Sequence, residues 1–177
     1  SNPRWSPDNK FLSFSASKDE DAKSQVWSLN RLGGEAIQVT NVKQGISGFE
    51  WSPDGSRLLL IIQDPKASDL TEDKDDDKKP LPHVIDRMQF KRDYVGYLDR
   101  RRRHLYVYTP GSENPTQLTS GDYDNSDPVW SPDGKSIAFV SDRSEDPDLH
   151  WGTDVWIVEV DDPDSEIIQV TTNEGRD

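Results

Sequence analysis

The chain has 177 residues, with 21 Lys and Arg against 34 Asp and Glu (formal charge −13), 31% hydrophobic residues and a mean hydropathy of −0.91. That is the length of one domain or slightly more. No apolar run reaches the ~18 residues of a membrane-spanning helix, no signal-peptide pattern opens the sequence, and the lack of Cys removes disulfides, thiolate metal sites and a Cys nucleophile. The acidic balance argues against general nucleic-acid or anionic-membrane binding, while six Trp and five Tyr argue against disorder.

In chain order, the first feature is Trp-Ser-Pro-Asp at Trp5, and it returns at Trp51 and Trp130. In such a turn Pro pre-sets φ, Asp caps and Gly takes a positive φ. Asn9 stands in for Gly in the first copy. Each turn leads into a β-type apolar run: Phe11 to Phe14, Leu58 to Ile62 and Ile137 to Val140. An aromatic-apolar strand follows, at Val26 to Leu29, Leu105 to Tyr108 and Val155 to Val158. Each unit closes on a Gln-x-Thr element, at Gln38 to Thr40, Gln117 to Thr119 and Gln169 to Thr171. Four antiparallel strands repeating every ~40–50 residues mark propeller blades. The expected fold is therefore all-β, a partial β-propeller of about three four-stranded blades, rather than an ordinary β-sandwich. The predicted division is 1–44 for blade 1, 45–122 for blade 2 with an insertion over 64–103, and 123–177 for blade 3. The next Trp in register would fall just beyond residue 177, so the chain is expected to be a piece of a larger propeller protein.

The insertion has two unlike parts. Residues 64–79 carry seven acids and four lysines with almost nothing apolar, and predict a solvated loop. The run Asp73 to Asp77 begins like a calcium loop, but Lys78 occupies the Gly position and Val84 the Glu position, which argues against calcium. Asp122 to Asp127 fails the same test and is expected to be an inter-blade loop. Residues 80–104 are basic, with Arg87, Lys91, Arg92 and Arg100 to Arg103. Gly96 is expected to turn between strands at Val84 to Arg92 and Tyr97 to Tyr108, with Arg101 and Arg103 on one face and Arg100 and Arg102 on the other. Two readings follow. Arg87, Lys91, Arg101 and Arg103 form an anion or substrate contact for a carboxylate or an acidic partner loop, or the arginines pair with the protein's own acidic surface. The second is favoured because structural ion pairs are common.

No catalytic constellation is found. Gly45-Ile46-Ser47-Gly48 lacks the spacing of a nucleophile elbow. His83, His104 and His150 have no zinc spacing, and no Gly-rich phosphate loop is present. His104, at a strand start, is expected to be structural. No cofactor or metal is expected.

The repeats resemble TolB-type propeller repeats, most fully over Trp130 to Arg143 (Trp-Ser-Pro-Asp-Gly-Lys-Ser-Ile-Ala-Phe-Val-Ser-Asp-Arg). The segments Pro82 to Arg87, Phe90 to Asp93, Gly96 to Leu98 and Arg103 to Val107 resemble propellers of the prolyl oligopeptidase family, in its acylaminoacyl-peptidase and dipeptidyl-peptidase-like branch. That resemblance implies a substrate-gating, non-catalytic propeller, with peptides as substrates and a C-terminal α/β-hydrolase domain as partner. The Ser-Asp-His triad belongs to that domain, and no triad residue is carried by this chain. The rival expectation is a non-enzymatic TolB-like interaction propeller. Open propeller edges further predict self-association, with two chains completing a six-blade ring. The compartment stays open between cytoplasm and periplasm.

Overall fold

The computed structural model describes residues 1–66, 91–92, 96–97, 101–144, 152–162 and 165–171, with side chains undescribed at 91–92 and 96–97. Three four-stranded antiparallel sheets account for these residues, and no helix occurs among them. The first sheet runs β1 (Arg4–Trp5), β2 (Phe11–Ala16), β3 (Gln25–Asn30), β4 (Ile37–Gln38). The second runs β5 (Gly48–Trp51), β6 (Leu58–Gln63), β9 (Arg103–Tyr108), β10 (Thr116–Gln117). The third runs β11 (Asn125–Trp130), β12 (Ser136–Ser141), β13 (Asp154–Glu159), β14 (Ile168–Gln169). Within the insertion, β7 (Lys91–Arg92) pairs with β8 (Gly96–Tyr97). This is a partial β-propeller.

The turn chemistry is the same in all three sheets. Ser6, Ser52 and Ser131 each donate from Oγ to the aspartate two residues on, at 2.6 Å, and each accepts from the backbone N–H five residues on. Those hydrogen bonds favour the ionised carboxylate. The Ser52 and Ser56 hydroxyls hold Asp54 down at about 2, and the Ser6 hydroxyl and Lys10 N–H do the same for Asp8. Asn9 sits at φ 57, where Gly55 and Gly134 sit at 72 and 69.

The Gln-x-Thr element is a lock. Val26, Leu105 and Val155 donate their backbone N–H to Thr40, Thr119 and Thr171 Oγ1 at 2.9, 2.9 and 3.0 Å. The threonine thus satisfies a donor just beyond the short outer strand, where an unpaired buried N–H would be costly.

The sheets pack face to face. Leu58, Leu60 and Ile62 of β6 face the first sheet with Val26, Val42 and Ile46. Leu59 of β6, with Leu105 and Val107 of β9, faces Ile137, Phe139 and Val158 of the third sheet. The period-2 alternation therefore buries both faces of the second sheet. At the turns, a Cβ on Gly55 would lie 3.4 Å from Pro7, and one on Gly134 3.6 Å from Pro53, so each turn rests on the proline of the preceding one.

Four expectations change. Gly96, expected at the turn, lies on β8 and pairs with Arg92 of β7. Residues 101–102 are not strand, and β9 starts at Arg103, directly paired with β6 through Gln63↔Arg103. Asn125 to Asp127 belong to β11 rather than to a loop. Asp64, expected in a solvated loop, is pinned: its N–H donates to Arg102 O at 2.8 Å and its Oδ2 accepts from Arg102 N at 2.9 Å. The antiparallel pairing of β6 and β9 runs one residue further than the strands and closes the base of the insertion.

Candidate functional site

β6 ends, β9 begins, β11 begins and β12 ends at one end of the second and third sheets, as the pairings Gln63↔Arg103 and Asn125↔Ser141 require. The insertion leaves from this end, and a charged cluster forms there. Arg102 donates from Nε to Asp122 Oδ1 at 2.7 Å and from Nη1 to Asp124 Oδ2 at 3.3 Å. Arg103 donates its backbone N–H and its Nε to Asp124 Oδ1 at 3.0 and 3.3 Å. Arg102 and Arg103 converge on one carboxylate, which strict strand alternation forbids; Arg102 precedes the strand and is free to turn back.

His104, on β9, is buried. Its Nδ1 lies 3.4 Å from Asn125 Nδ2, and its Nε2 lies 3.6 Å from Asp64 Oδ1. Burial pushes the imidazole below its ordinary range, against the pull of Asp64 and Asp124. Asn125 is fully buried and donates to Arg103 O at 2.7 Å, while its Oδ1 accepts from Arg143 Nη2 at 2.9 Å. The Arg143 guanidinium lies over Tyr123, Phe139 and Trp156, 5.1–5.5 Å from each ring centroid. That cation–π cage joins two β12–β13 aromatics to the loop before β11.

Of the predicted contacts, Arg87 lies outside the described residues, Lys91 is placed on β7 by its backbone alone, Arg101 lies just before β9, and Arg103 is ion-paired. His83 and His150, the run Asp73 to Asp77 and nearly all of the acidic loop also lie outside the described residues. Asp64, Asn125 and Arg143 join the cluster without a sequence motif that marks them as site residues. The Ser141-Asp142-Arg143 ending of the third repeat is the sequence signal that coincides with the cluster. Among the described residues no group of three His, Asp or Glu is placed to hold a metal ion.

A second feature lies along the inner strands. A cleft of about 370 Å3 is lined by Asn2, Arg4, Phe49, Glu50, Asp127 and Val129, among others. Arg4, Glu50 and Val129 each precede a repeat Trp. Asn2 and Asp127 each stand three residues before one, are followed by Pro, and take positive φ (54 and 47). At Asp127 this produces a bulge in the β11–β12 register. Gly48, the equivalent residue on β5, pairs regularly with Ile61. Burial raises the Glu50 carboxyl, and Arg4 opposes that.

This architecture, three four-stranded antiparallel sheets in series, is that of a partial β-propeller, and comparisons with known proteins agree. The chain is 31% identical over 157 residues to the uncharacterized peptidase YuxL of Bacillus subtilis, matching 88% of this chain and 24% of that protein. It superposes on the acylaminoacyl peptidase of Pyrococcus horikoshii with a TM-score of 0.66 and 22% identity, over 97% of this chain and 25% of that one. Against TolB of Acinetobacter baumannii the TM-score is 0.57 at 19% identity, over 96% of this chain and 31% of that one. No protein-family model matches. The chain spans about a quarter of the length of the curated relative, and the similarity supports a propeller portion like those of a peptidase family.

Proposed function

We propose that this chain is the substrate-gating, non-catalytic propeller portion of a prolyl oligopeptidase family serine peptidase that hydrolyses peptides. The observation that carries this reading is the 31% identity to a peptidase over 88% of the chain. On this reading catalysis belongs to an α/β-hydrolase partner domain, which the similarity to a peptidase about four times the length of the matched segment supports. The propeller acts sterically, admitting unfolded peptides along the inner cleft and refusing folded proteins.

The basic residues Arg87, Lys91, Arg101 and Arg103 are assigned to contact acidic groups of a peptide or of the partner domain. Arg103 keeps a 47% exposed side chain while paired with Asp124 and can exchange that partner. The alternative, a non-enzymatic TolB-like interaction propeller, is favoured by the likeness to TolB. On the peptidase reading the purified chain hydrolyses neither aminoacyl nor acyl-peptide substrates, and robust turnover would refute the assignment of catalysis to a partner domain. Adding the chain in trans to a related hydrolase domain is expected to suppress cleavage of a folded protein more than cleavage of a short peptide; equal effects on both would refute gating.

A further inference from the structure

Three charged side chains line the cleft of about 370 Å3 along the inner strands: Arg4, Glu50 and Asp127. Among the described residues none of them makes a hydrogen bond or an ion pair. The cluster at the insertion end, by contrast, pairs Arg102 and Arg103 with Asp122 and Asp124. A half-buried carboxyl without a partner costs free energy, and burial raises the Glu50 carboxyl accordingly.

The backbone is shaped around this space. The Ser1 amino group donates to Ser15 O at 2.6 Å, Ser15 N–H donates to Ser1 O at 2.8 Å, and Arg4 pairs with Ser13. Asn2 and Pro3 therefore both stand opposite Phe14, as Asp127 and Pro128 both stand opposite Phe139. One bulge is made twice, and a bulge re-aims the side chain it carries. Asn2 and Asp127 both line the cleft. The second sheet has neither bulge nor side chain at this position: Gly48 pairs with Ile61, and a Cβ on it would lie 3.1 Å from Ile61 Cδ1. The space over Gly48 is thus flanked by two re-aimed polar side chains, with Glu50 on the same strand.

Further blades would not neutralise these groups by packing. Arg4 shares its row with Ser13, which accepts from Trp51 of the second sheet. Glu50 shares its row with Leu59 and Val107, which pack on the third sheet. Both rows face interfaces already closed within this chain, and blades contact only their neighbours.

We propose that this cleft binds the basic side chain, Lys or Arg, of a peptide lying along the inner strands. Two carboxylates against one guanidinium leave a net charge of −1 on the three lining side chains, which matches a single ammonium or guanidinium group. Glu50 and Asp127 accept its N–H donors, and the incoming cation competes with Arg4 for Glu50. Ile61 and Pro128 give the aliphatic stem an apolar wall. The peptide as source of the cation rests on the peptidase reading; the cation cleft rests on the charges alone.

The test is calorimetric titration of the 177-residue chain with acetyl-Ala-Arg-Ala-amide and with its uncharged citrulline analogue, the amide NMR spectrum locating the contact. The arginine peptide is expected to bind about tenfold more tightly than the analogue, with shifts centred on residues 48–50 and 127–129. Glu50→Gln is expected to weaken it about tenfold, and the more exposed Asp127→Asn about two- to fivefold. Asn2 holds the same bulge at positive φ, so Asn at position 127 keeps the backbone. Arg4→Gln is expected to tighten binding about two- to fivefold, a gain that damage to the fold would not produce. Absent binding, equal affinity for the two peptides, shifts centred elsewhere, or no gain from Arg4→Gln would overturn the proposal. So would agmatine binding as tightly as the arginine peptide, which would make the ligand a free amine. Such a failure leaves the peptidase reading standing, because the gene sequence downstream decides that separately.

Discussion

The Trp51 indole N–H donates to Ser13 Oγ across the first internal interface at 3.2 Å. Its repeat equivalent, Trp130, has a buried indole N–H with no partner among the described residues. Leu59 stands where Ser13 does in the repeat, since each is the second residue of its strand to follow a turn serine's backbone partner. The second interface gives up a hydrogen bond for a fully buried leucine and adds Arg57 over the ring. Ser13→Ala removes the acceptor and leaves the Trp51 donor unsatisfied. It is expected to cost about 1 kcal/mol, read as a lower urea midpoint at unchanged slope; an unchanged midpoint would show that the bond contributes nothing net.

Arg57 reaches the third sheet in three ways: Asp161 Oδ1 at 2.6 Å, Gly134 O at 3.0 Å, and the Trp130 ring at 5.4 Å. Asp161 is largely exposed, so that ion pair is screened and contributes little. Asp161→Asn is expected to change stability by less than about 0.5 kcal/mol, while Arg57→Ala costs about 1–2 kcal/mol through the carbonyl bond and the stacking. Thermal denaturation of both variants checks the order, and a larger loss in Asp161→Asn would reverse the argument.

His104 is held neutral by burial, against the pull of Asp64 and Asp124, with Arg143 and Arg102 pushing the same way as burial. Its folded pKa lies below its unfolded value, so the unfolded chain binds the proton more readily. Stability from the neutral ring is full above about pH 6.5 and is lost as the pH falls below that. The first sheet has Gln25 at the equivalent place, accepting from Thr40 Oγ1 at 2.9 Å and spanning to Val42. His104→Gln is therefore expected to fold and to lose less stability than the wild type between pH 7.5 and 5.5, measured by urea denaturation. An identical pH slope in the two proteins would contradict this.

The base of the insertion is closed by Asp64 and Arg102, the next antiparallel pair after Gln63↔Arg103. Residues 65–101 are therefore replaceable by a two-residue Asn-Gly hairpin turn. The shortened chain is expected to keep its near-UV spectrum and cooperative unfolding, because the strand pairing does not depend on the excised segment. Loss of cooperativity would show that the insertion holds the second sheet together.

Much of this fold was legible in the sequence because its signals are local. Ser-Pro-Asp-Gly encodes a turn within five residues, and Gln-x-Thr encodes a lock on a strand one hairpin away. The site was less legible because its groups meet across sheets. Asp64 sits in an acidic run and looks solvated by composition, yet its backbone continues a ladder. Strand alternation puts Arg102 and Arg103 on opposite faces, but that period applies only once the strand has begun, at Arg103. Asn125 and Arg143 lie 18 residues apart and meet only because β11 and β12 pair.

Whether this propeller portion serves a peptidase is decided by sequencing the encoding gene past codon 177. The predicted result is an open frame running into an α/β-hydrolase domain with a Gly-x-Ser-x-Gly elbow. A stop codon soon after the propeller, or an unrelated downstream domain, would contradict it.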